Sequence, residues 1–409
     1  MDNPDIIVIG GGIAGGAMAT VLARRGLHVV MLEITKEHRD VVRGEVLSPW
    51  GVAETQTLGL YDDLVKAGGH FIKRIVNYSE EIDPATAEQM SADASSALPG
   101  VPGNMAIGHP RACNTLDAAA VSAGAVFLRG VRHTEVSPAP RPRVRFEHDG
   151  EPHTIYPRLV IAADGRHGIT RKQIGIPLHE DPLHNWQAGL LIEGAHDWPD
   201  DTGCIATEGD SLMAAFPQGD GRVRLYNCLA IDAREEMIGP KAVETFLRRV
   251  RMKCAPHSDA LAGGRPVSEL FVYPNNDTWT NQPYVEGVVL IGDAAGRNDP
   301  VIGQGLANAY RDVRIVSDIL KEDNWGPWAF APYAQERAER MRRLRIIGRA
   351  VAHRDAEFGR EASNRRRRAI KNMMERPELG SFFAAMAIGP EKLPPETYSD
   401  QVIAAVCGD

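Results

Sequence analysis

The segment up to Glu33 constrains this chain more than any other. Asp5-Ile-Ile-Val-Ile9 is a continuous apolar run rich in β-branched residues, as expected of a strand buried on both faces of a parallel sheet. It runs directly into Gly10-Gly-Gly12-Ile13-Ala14-Gly15-Gly16 and then into Ala17 to Arg25, which has helical composition and stops at Gly26. Gly10, Gly12 and Gly15 fill the three glycine places of GxGxxG. Gly10 permits the sharp turn, Gly12 lets a pyrophosphate approach the backbone, and Gly15 lets the helix pack closely on the strand. The free amides around Ile13 and Ala14, with about half a positive charge at the helix N-terminus, suit phosphates. Leu27 to Leu32 forms a second strand, ending at Glu33, eighteen residues after Gly15, where a carboxylate can accept hydrogen bonds from a ribose diol. Glycine turns alone are common. Strand, glycines, helix, strand and acid in this order predict the adenylate half of a dinucleotide site, without choosing between FAD and NAD.

Two later segments repeat the strand-to-acid pattern. Arg158 to Ala163 is apolar and ends in Asp164-Gly165, which taken alone reads as an ordinary α/β turn. Gly287-Val-Val-Leu-Ile-Gly292-Asp293-Ala-Ala-Gly296 leads to Pro300-Val-Ile-Gly303-Gln-Gly305-Leu306, which opens a helix through Ala307, Ala309 and Val313. A carboxylate after a buried strand, followed by a glycine turn at a helix N-terminus, makes a second polyol-and-phosphate grip for an extended cofactor.

In this order the motifs resemble those of the para-hydroxybenzoate hydroxylase-like, class A single-component FAD-dependent aromatic monooxygenases, over roughly three quarters of the chain. The flavin-side arginine loop of that family is similar to Arg43-Gly44-Glu-Val-Leu-Ser-Pro49, followed by Leu58-Gly-Leu60. The arginine at the start of a helix ahead of the third strand looks like Arg111. Asp164 to Arg171 resembles the Asp-Gly motif, and Gly292 to Asp312 the Gly-Asp motif. The resemblance implies that Asp293 holds ribityl or ribose hydroxyls, that Pro300 lies beside the isoalloxazine, and that amides from Gly303 through Gly305 to Leu306 hold its pyrimidine edge. Three positions depart from the family pattern: Gly168 stands in place of a serine, Gly296 in place of a histidine, and Ala307 in place of an asparagine, with Asn308 one residue on. The Trp-x-Trp-x-Ile-Pro string of tryptophan-type halogenases is missing, and so is a second GxGxxG, so NAD(P)H would bind transiently.

With 409 residues, 43% hydrophobic and 24% charged, the chain has material for two closely packed domains and is not a disordered protein. The expected fold class is α/β: an FAD-binding Rossmann-like domain with an inserted antiparallel sheet domain and C-terminal helices. The cofactor domain would comprise residues 1–72, 100–180 and 275–330, the substrate-binding sheet 73–99 and 181–274, and the helical region 331–409. Between Ile169 and Tyr284, Ala188 to Glu193, Ser211 to Pro217 and Arg222 to Leu229 read as antiparallel strands, with Gln218-Gly-Asp-Gly221 as a hairpin. Helical sequence follows at Lys241 to Arg251, then a strand around Ser268 to Tyr273.

The implied activity is hydroxylation of an aromatic, phenolic or N-heteroaromatic small molecule, using NAD(P)H and O2 through a flavin C4a-hydroperoxide. Epoxidase, halogenase-like and reductase chemistry on the same scaffold are the rivals, with a non-catalytic flavin-binding protein behind them. A phenol becomes nucleophilic when its proton leaves, which makes His109, placed on a strand before Arg111, and Tyr226, on the roof sheet, candidate relays beside Arg43 and Pro300. Each also fits a bland role, since strand tyrosines usually pack and a histidine before proline often caps a turn. Glu45 reads either as a pocket-lining carboxylate or as a solvated loop charge.

Lys and Arg total 46 against 54 Asp and Glu, a net charge of −8, which argues against a general nucleic-acid binder. Arg342, Arg343, Arg345, Arg349 and Arg365 to Arg368 interleave with Glu336, Glu339, Glu357 and Glu361, and read as a solvated or interfacial helix face. No apolar run approaches the ~20 residues of a membrane span. Five scattered cysteines without a CxxC pair suggest reduced thiols, with no zinc or other metal site. No signal peptide is visible, and a cytoplasmic protein is expected. A homodimer is compatible with this reading. The tail after Pro390 carries no legible signal.

Overall fold

The structure, a computed structural model, describes residues 3–409. Eleven strands and eight helices matter for the site. β1 (Ile6–Ile9), α1 (Ile13–Arg24) and β2 (Val29–Glu33) follow one another as the opening motif requires. β3 (Arg74–Ser79), α2 (His109–Ser122), β4 (Val126–Arg129) and β5 (Leu159–Ala162) come next. The middle of the chain supplies β6 (Asn185–Glu193), β7 (Thr202–Glu208), β8 (Ser211–Pro217), β9 (Val223–Leu229), α3 (Ala242–Val250) and β10 (Phe271–Asn275). The chain then returns through β11 (Val288–Leu290) and α4 (Gly305–Ile319) to α5 (Ala331–Asp355), α6 (Arg360–Glu375), α7 (Ser381–Ile388) and α8 (Asp400–Cys407).

β1 lies at the centre of a parallel sheet ordered β11-β5-β1-β2-β4, with Ile6 beside Val29 on one side and Leu159 on the other. A short antiparallel edge, Tyr284–Val285, closes it beyond β11. β1, β5 and β11 are apolar throughout because both faces are covered, whereas β2 ends in Glu33 and the edge strand β4 is partly exposed and ends in Arg129. Ile6 and Val8 pack with Met18 and Leu22 of α1, Leu116 of α2 and Val313 of α4. Ile7 and Ile9 pack against Val136, Val144, Phe146 and Ile155 of a three-stranded meander.

The second sheet is mostly antiparallel, in the order β10-β6-β9-β8-β7-β3, with β3 joining parallel to β7. Alternation gives it two different faces. Leu190, Leu225, Met213 and Cys204 pack with Phe246 and Val250 of α3. On the other face Ala214 and Tyr226 form a small cluster with Val42, joined by Phe216, Phe271 and Tyr273, so this face looks onto the arginine loop. Gly189 makes the approach of that loop possible, since a Cβ there would lie 2.3 Å from Val42 Cγ1. The turn between β8 and β9 is the hairpin read from Gln218 to Gly221, with positive φ at Gly219, Asp220 and Gly221.

Three expectations need correction. His109 is not on a strand: it is the first residue of α2, because Gly108 caps that helix and Pro110, lacking an N–H, is well tolerated in the first turn. The last roof strand is Phe271–Asn275, displaced toward the cofactor sheet from the stretch read at Ser268 to Tyr273. The arginine-rich helices are a solvated face only in part: Arg342, Arg349, Arg367 and Arg368 are exposed, whereas Arg365 and Arg366 are buried. Arg337, Arg340 and Arg366 are among the largest fully buried side chains, and α8 in the apparently featureless tail buries Val406 and Cys407 with Leu344, Ile347 and Phe382. All five cysteines are buried and unpaired. No helix among the described residues is long and apolar enough to cross a membrane.

Candidate active site

The glycine turn between β1 and α1 is packed as a phosphate cradle must be. A Cβ on Gly15 would sit 1.8 Å from the Gly10 carbonyl oxygen, and one on Gly10, at φ +100°, would sit 2.4 Å from the Ala163 oxygen. Gly12, by contrast, faces open space, with nothing within 4 Å of its would-be Cβ. The amides of Ile13 and Ala14 continue from it into α1. Glu33 ends β2 beside the turn, almost fully buried, and one carboxylate oxygen accepts the Gly11 N–H at 2.7 Å while the other accepts from Thr35.

At the far end of the cleft Gly292 to Ala295 forms a short helical turn after β11, leaving Asp293 half-buried. The loop is held from behind. Arg337 of α5 donates to the carbonyls of Gly292, Ala295 and Gly296 and pairs with Asp312 at 3.0 Å, and Asp312 accepts the Gly292 N–H at 2.8 Å. Arg340 pairs with the other oxygen of Asp312 at 2.6 Å, and these two guanidiniums hold the wholly buried Asp312 carboxyl below its ordinary range despite desolvation. Arg340 also donates to Asn308, whose amide donates to Asn298. Asn308, displaced by one from the family position, is therefore a brace for the loop.

Pro300 opens a short turn capped by Asp299, which accepts the Val301 N–H at 2.9 Å. Gly303 takes φ +62°, and Gly305 at the start of α4 has nothing within 4 Å of its would-be Cβ, so the amides from Gly303 to Leu306 border free space. The Gln304 side chain accepts the Trp50 indole N–H at 2.7 Å, fixing the turn to the helix Pro49–Thr57. Behind Pro300, Asp299 pairs with His184 at 2.9 Å and gives its N–H to Asp277. The Asp299 contact raises the His184 pKa, and burial pushes the Asp277 carboxyl up to about 6. Sequence reading had not picked out this trio, which comes from three separate segments.

The arginine loop meets both walls. Tyr226 is buried and donates its hydroxyl to the Arg43 carbonyl at 3.0 Å, and desolvation keeps its phenol protonated, so its contact here is that of a neutral donor bracing the loop. Gly44 is exposed, 3.5 Å from Leu306 through its would-be Cβ. Glu45 is neither a solvated charge nor an open pocket wall. At 1% exposure it pairs with fully buried Arg224 of β9 at 2.7 Å and accepts the His109 N–H at 2.9 Å, tying loop, roof sheet and α2 together. Burial, with Arg43 nearby, pushes the His109 pKa down to about 3, so its imidazole is neutral, and its Nδ1 is buried without a partner.

Two further expected residues part company. Asp164 accepts the Thr170 N–H at 3.0 Å, and its carboxylate fills the space beside Gly168, where a Cβ would lie 2.2 Å from Asp164 Cγ. With Asp164 in this position, a side chain at residue 168 would have to displace its carboxylate. Arg111 projects toward Gly68, over a surface groove that it shares with Arg24 and Lys66, and is not brought to the cleft of Arg43 and Asp293. Sequence reading missed Arg166 and Arg297, which line that cleft with Arg43. Each follows an acid-and-glycine turn by one to four residues, a signal available in the sequence.

The donor set fits FAD: a cradle tight at Gly10 and Gly15 but open at Gly12, an acid at each end, and free amides at the far end. Residues 3–345 match the family described as FAD binding domain. Kynurenine 3-monooxygenase of Salinispora arenicola is 25% identical over 353 residues, covering 77% of this chain and 72% of that protein. Squalene monooxygenase of Mus musculus is 22% identical over 326 residues, covering 78% of this chain but 55% of its own length, so the chain spans about half of such relatives. Among solved structures, PqsL of P. aeruginosa in complex with 2-aminobenzoylacetate superposes with a TM-score of 0.74 at 21% identity, covering 87% of this chain and 97% of that one. PnpA, the p-nitrophenol 4-monooxygenase of Pseudomonas putida, reaches 0.74 at 16% identity and 98% of both chains. With the match running through both ends of the cleft, the chain belongs to the FAD binding domain family of FAD-dependent monooxygenases.

Proposed function

We propose that this protein is a class A, single-component monooxygenase that uses NAD(P)H and O2 to hydroxylate an aromatic, phenolic or N-heteroaromatic small molecule. The observation that carries the reading is the enclosure of the flavin end by a roof sheet whose inner face presents Tyr226, Phe271 and Tyr273. Bound FAD supplies the redox chemistry, taking a hydride from the nicotinamide and passing electrons to oxygen. The chain's own residues bind and orient it. Glycines 10 to 15 and Glu33 receive the adenosine diphosphate portion, Asp293 the polyol chain, and the amides from Gly303 to Leu306 the pyrimidine edge, with Pro300 against the ring. The roof sheet, floored by buried Tyr226, would shield the reacting face from much of the solvent. A cofactor domain of residues 1–72, 100–180 and 275–330, a substrate domain of 73–99 and 181–274, and helices 331–409 agree with this division of labour.

Epoxidation is the second reading, favoured by the squalene monooxygenases and epoxidases among the relatives. The deciding experiment screens phenols, N-heteroaromatics and alkenes for stimulated NAD(P)H oxidation and follows ¹⁸O₂ into the product. A ring carbon bearing one labelled oxygen supports hydroxylation, and a labelled oxirane supports the alternative. Product formed under strict anaerobiosis would overturn both.

A further inference from the structure

The inner face of the roof sheet continues past the arginine loop into an aliphatic patch that no part of the cofactor site covers. Strand pairing sets its side chains in rows. Ile205 lies beside Ala214 and Ala214 beside Tyr226, while Thr207 lies beside Leu212 and Leu212 beside Cys228, two residues further along. At strand spacing the rows are about 6.5 Å apart. The first row, joined by Phe271, lies under the arginine loop. The second packs with Val301, the residue after Pro300, and with Ala356 and Phe358. Ile205 packs with both groups, so an aromatic half and an aliphatic half share one wall.

Ala356 and Phe358 belong to the corner between α5 and α6, which is braced more heavily than a chain reversal needs. Thr207 Oγ1 of the roof donates to the Asp355 carbonyl at 3.3 Å. Arg365 donates to the His353 carbonyl at 3.0 Å and pairs with Glu357 at 2.6 Å. Arg366, 2% exposed, donates to the carbonyls of Arg354 at 3.3 Å and Glu357 at 2.9 Å, and its Nε and Nη2 have no hydrogen-bond partner. Gly359, at φ +94°, turns the chain into α6. Burying a guanidinium against neutral carbonyls is unfavourable, so this corner keeps its shape at a cost in stability.

The bracing fixes where Phe358 goes. Its ring does not turn back into the helical core, where Leu344, Ile347, Leu379 and Phe382 pack together. It packs forward with Leu212, Cys228 and Val301, and Phe358, Val301 and Ile205 all remain half-buried. Apolar side chains from three separate elements, left half-buried beside Pro300, mark room for an apolar group.

We propose that Phe358 is the end wall of the substrate chamber: the substrate's ring lies at the Tyr226 and Phe271 end, and an alkyl substituent runs along Ile205, Leu212 and Cys228 until Phe358 stops it. The proposal rests on the reading of the protein as an aromatic monooxygenase and narrows its substrate to aromatics bearing an apolar chain of limited length. Phe358 acts by volume and determines specificity without touching a reacting atom.

Binding of para-alkylphenols, from methyl to octyl, is followed through the flavin absorbance of the FAD-loaded protein in wild type, Phe358→Leu, Phe358→Ala and Phe358→Trp. In wild type each added methylene should tighten binding about four-fold until the chain meets the wall, after which affinity should drop. Phe358→Ala should move that limit outward by about two methylenes or more and Phe358→Leu by about one, whereas Phe358→Trp should move it inward. A merely structural phenylalanine would give no opposed shifts, because lost packing weakens every homologue alike. If the alanine variant does not fold, the leucine and tryptophan variants carry the comparison. The proposal fails if the limit is the same in every variant, if the variants weaken all homologues by one factor, or if no alkylphenol perturbs the flavin. Incorporation of labelled oxygen is measured in parallel. A limit that moves with residue 358 in a protein that transfers no oxygen to any phenol would leave the wall standing and overturn the proposed function, and oxygen transfer with an unmoved limit would do the reverse.

Discussion

At the scale of single residues, two carboxylates carry the sharpest consequences. Asp293 is half-buried after β11, and if it holds the cofactor's polyol as proposed, its removal deletes a charge-assisted hydrogen bond worth about 1.5–3 kcal/mol. Asp293→Ala should therefore release FAD about ten-fold or more readily, measured as flavin fluorescence in the filtrate after dilution. A variant that stays fully yellow would refute the assignment. Asp277 is fully buried, one of its oxygens has no partner, and burial pushes its carboxyl up to about 6. A group whose folded pKa is raised holds its proton longer in the native state than in the unfolded one, so its contribution is present at pH 4 and lost as pH rises through 6. The raised pKa of His184 acts in the same direction, its contribution present below about 6.5 and lost above. Between pH 4 and 7 the net stability is a balance, because neutral His109, protonated only in the unfolded chain there, makes stability rise with pH; the Asp277 share is read as the difference between proteins, and Asp277→Asn should gain stability relative to wild type as pH rises from 4 to 7. The ceiling is about 3 kcal/mol, from two units at 1.36 kcal/mol each. An unchanged slope in the variant would place the titration elsewhere.

At the scale of elements, the Glu45–Arg224 pair decides how the arginine loop meets the roof sheet. Both side chains are essentially fully buried, and Glu45 also accepts the first N–H of α2. Removing one partner leaves a buried charge, so Glu45→Met should cost about 3 kcal/mol in urea unfolding, somewhat relieved because Asp40 still reaches Arg224 at 2.6 Å. The double variant Glu45→Met with Arg224→Met should recover much of that loss, since the only carboxylate then left without its guanidinium is Asp40, which is partly exposed to solvent. Equal and additive costs would show that the two act independently. None of this was legible in the sequence, where Glu45 was one more acid in a loop. Strands and hairpin were legible because alternation and glycine turns are local properties. His109 was misread because the cap that makes it helical is a single glycine, and the proline after it, read as marking a capped turn, is at home in a first helical turn.

At the scale of the whole molecule, the C-terminal arginines divide between a buried brace behind the loop of Asp293 and exposed ion pairs. Arg337 and Arg340 reach from α5 through Asp312 to the loop that carries Asp293, while Arg349 and Arg367 pair with Asp181 and Glu81. With its arginines so engaged and a net charge of −8, the protein should show only weak retention on heparin, lost at low salt. Retention that falls steeply only across moderate salt, in the manner of several released counterions, would reopen a nucleic-acid role for these helices.

What the sequence determined by itself is the cofactor scaffold. The phosphate cradle, Glu33 and the Asp293 to Leu306 run are each contiguous, and their chemistry depends on local backbone geometry that glycine, proline and β-branched residues encode directly. What only the tertiary structure decided is which charges meet. Arg43, Arg166 and Arg297 are more than a hundred residues apart along the chain and converge on one cavity, whereas Arg111, expected beside them, faces another groove. Charge pairing acts over a few ångströms, and where a long side chain ends depends on packing among distant segments that no local pattern records.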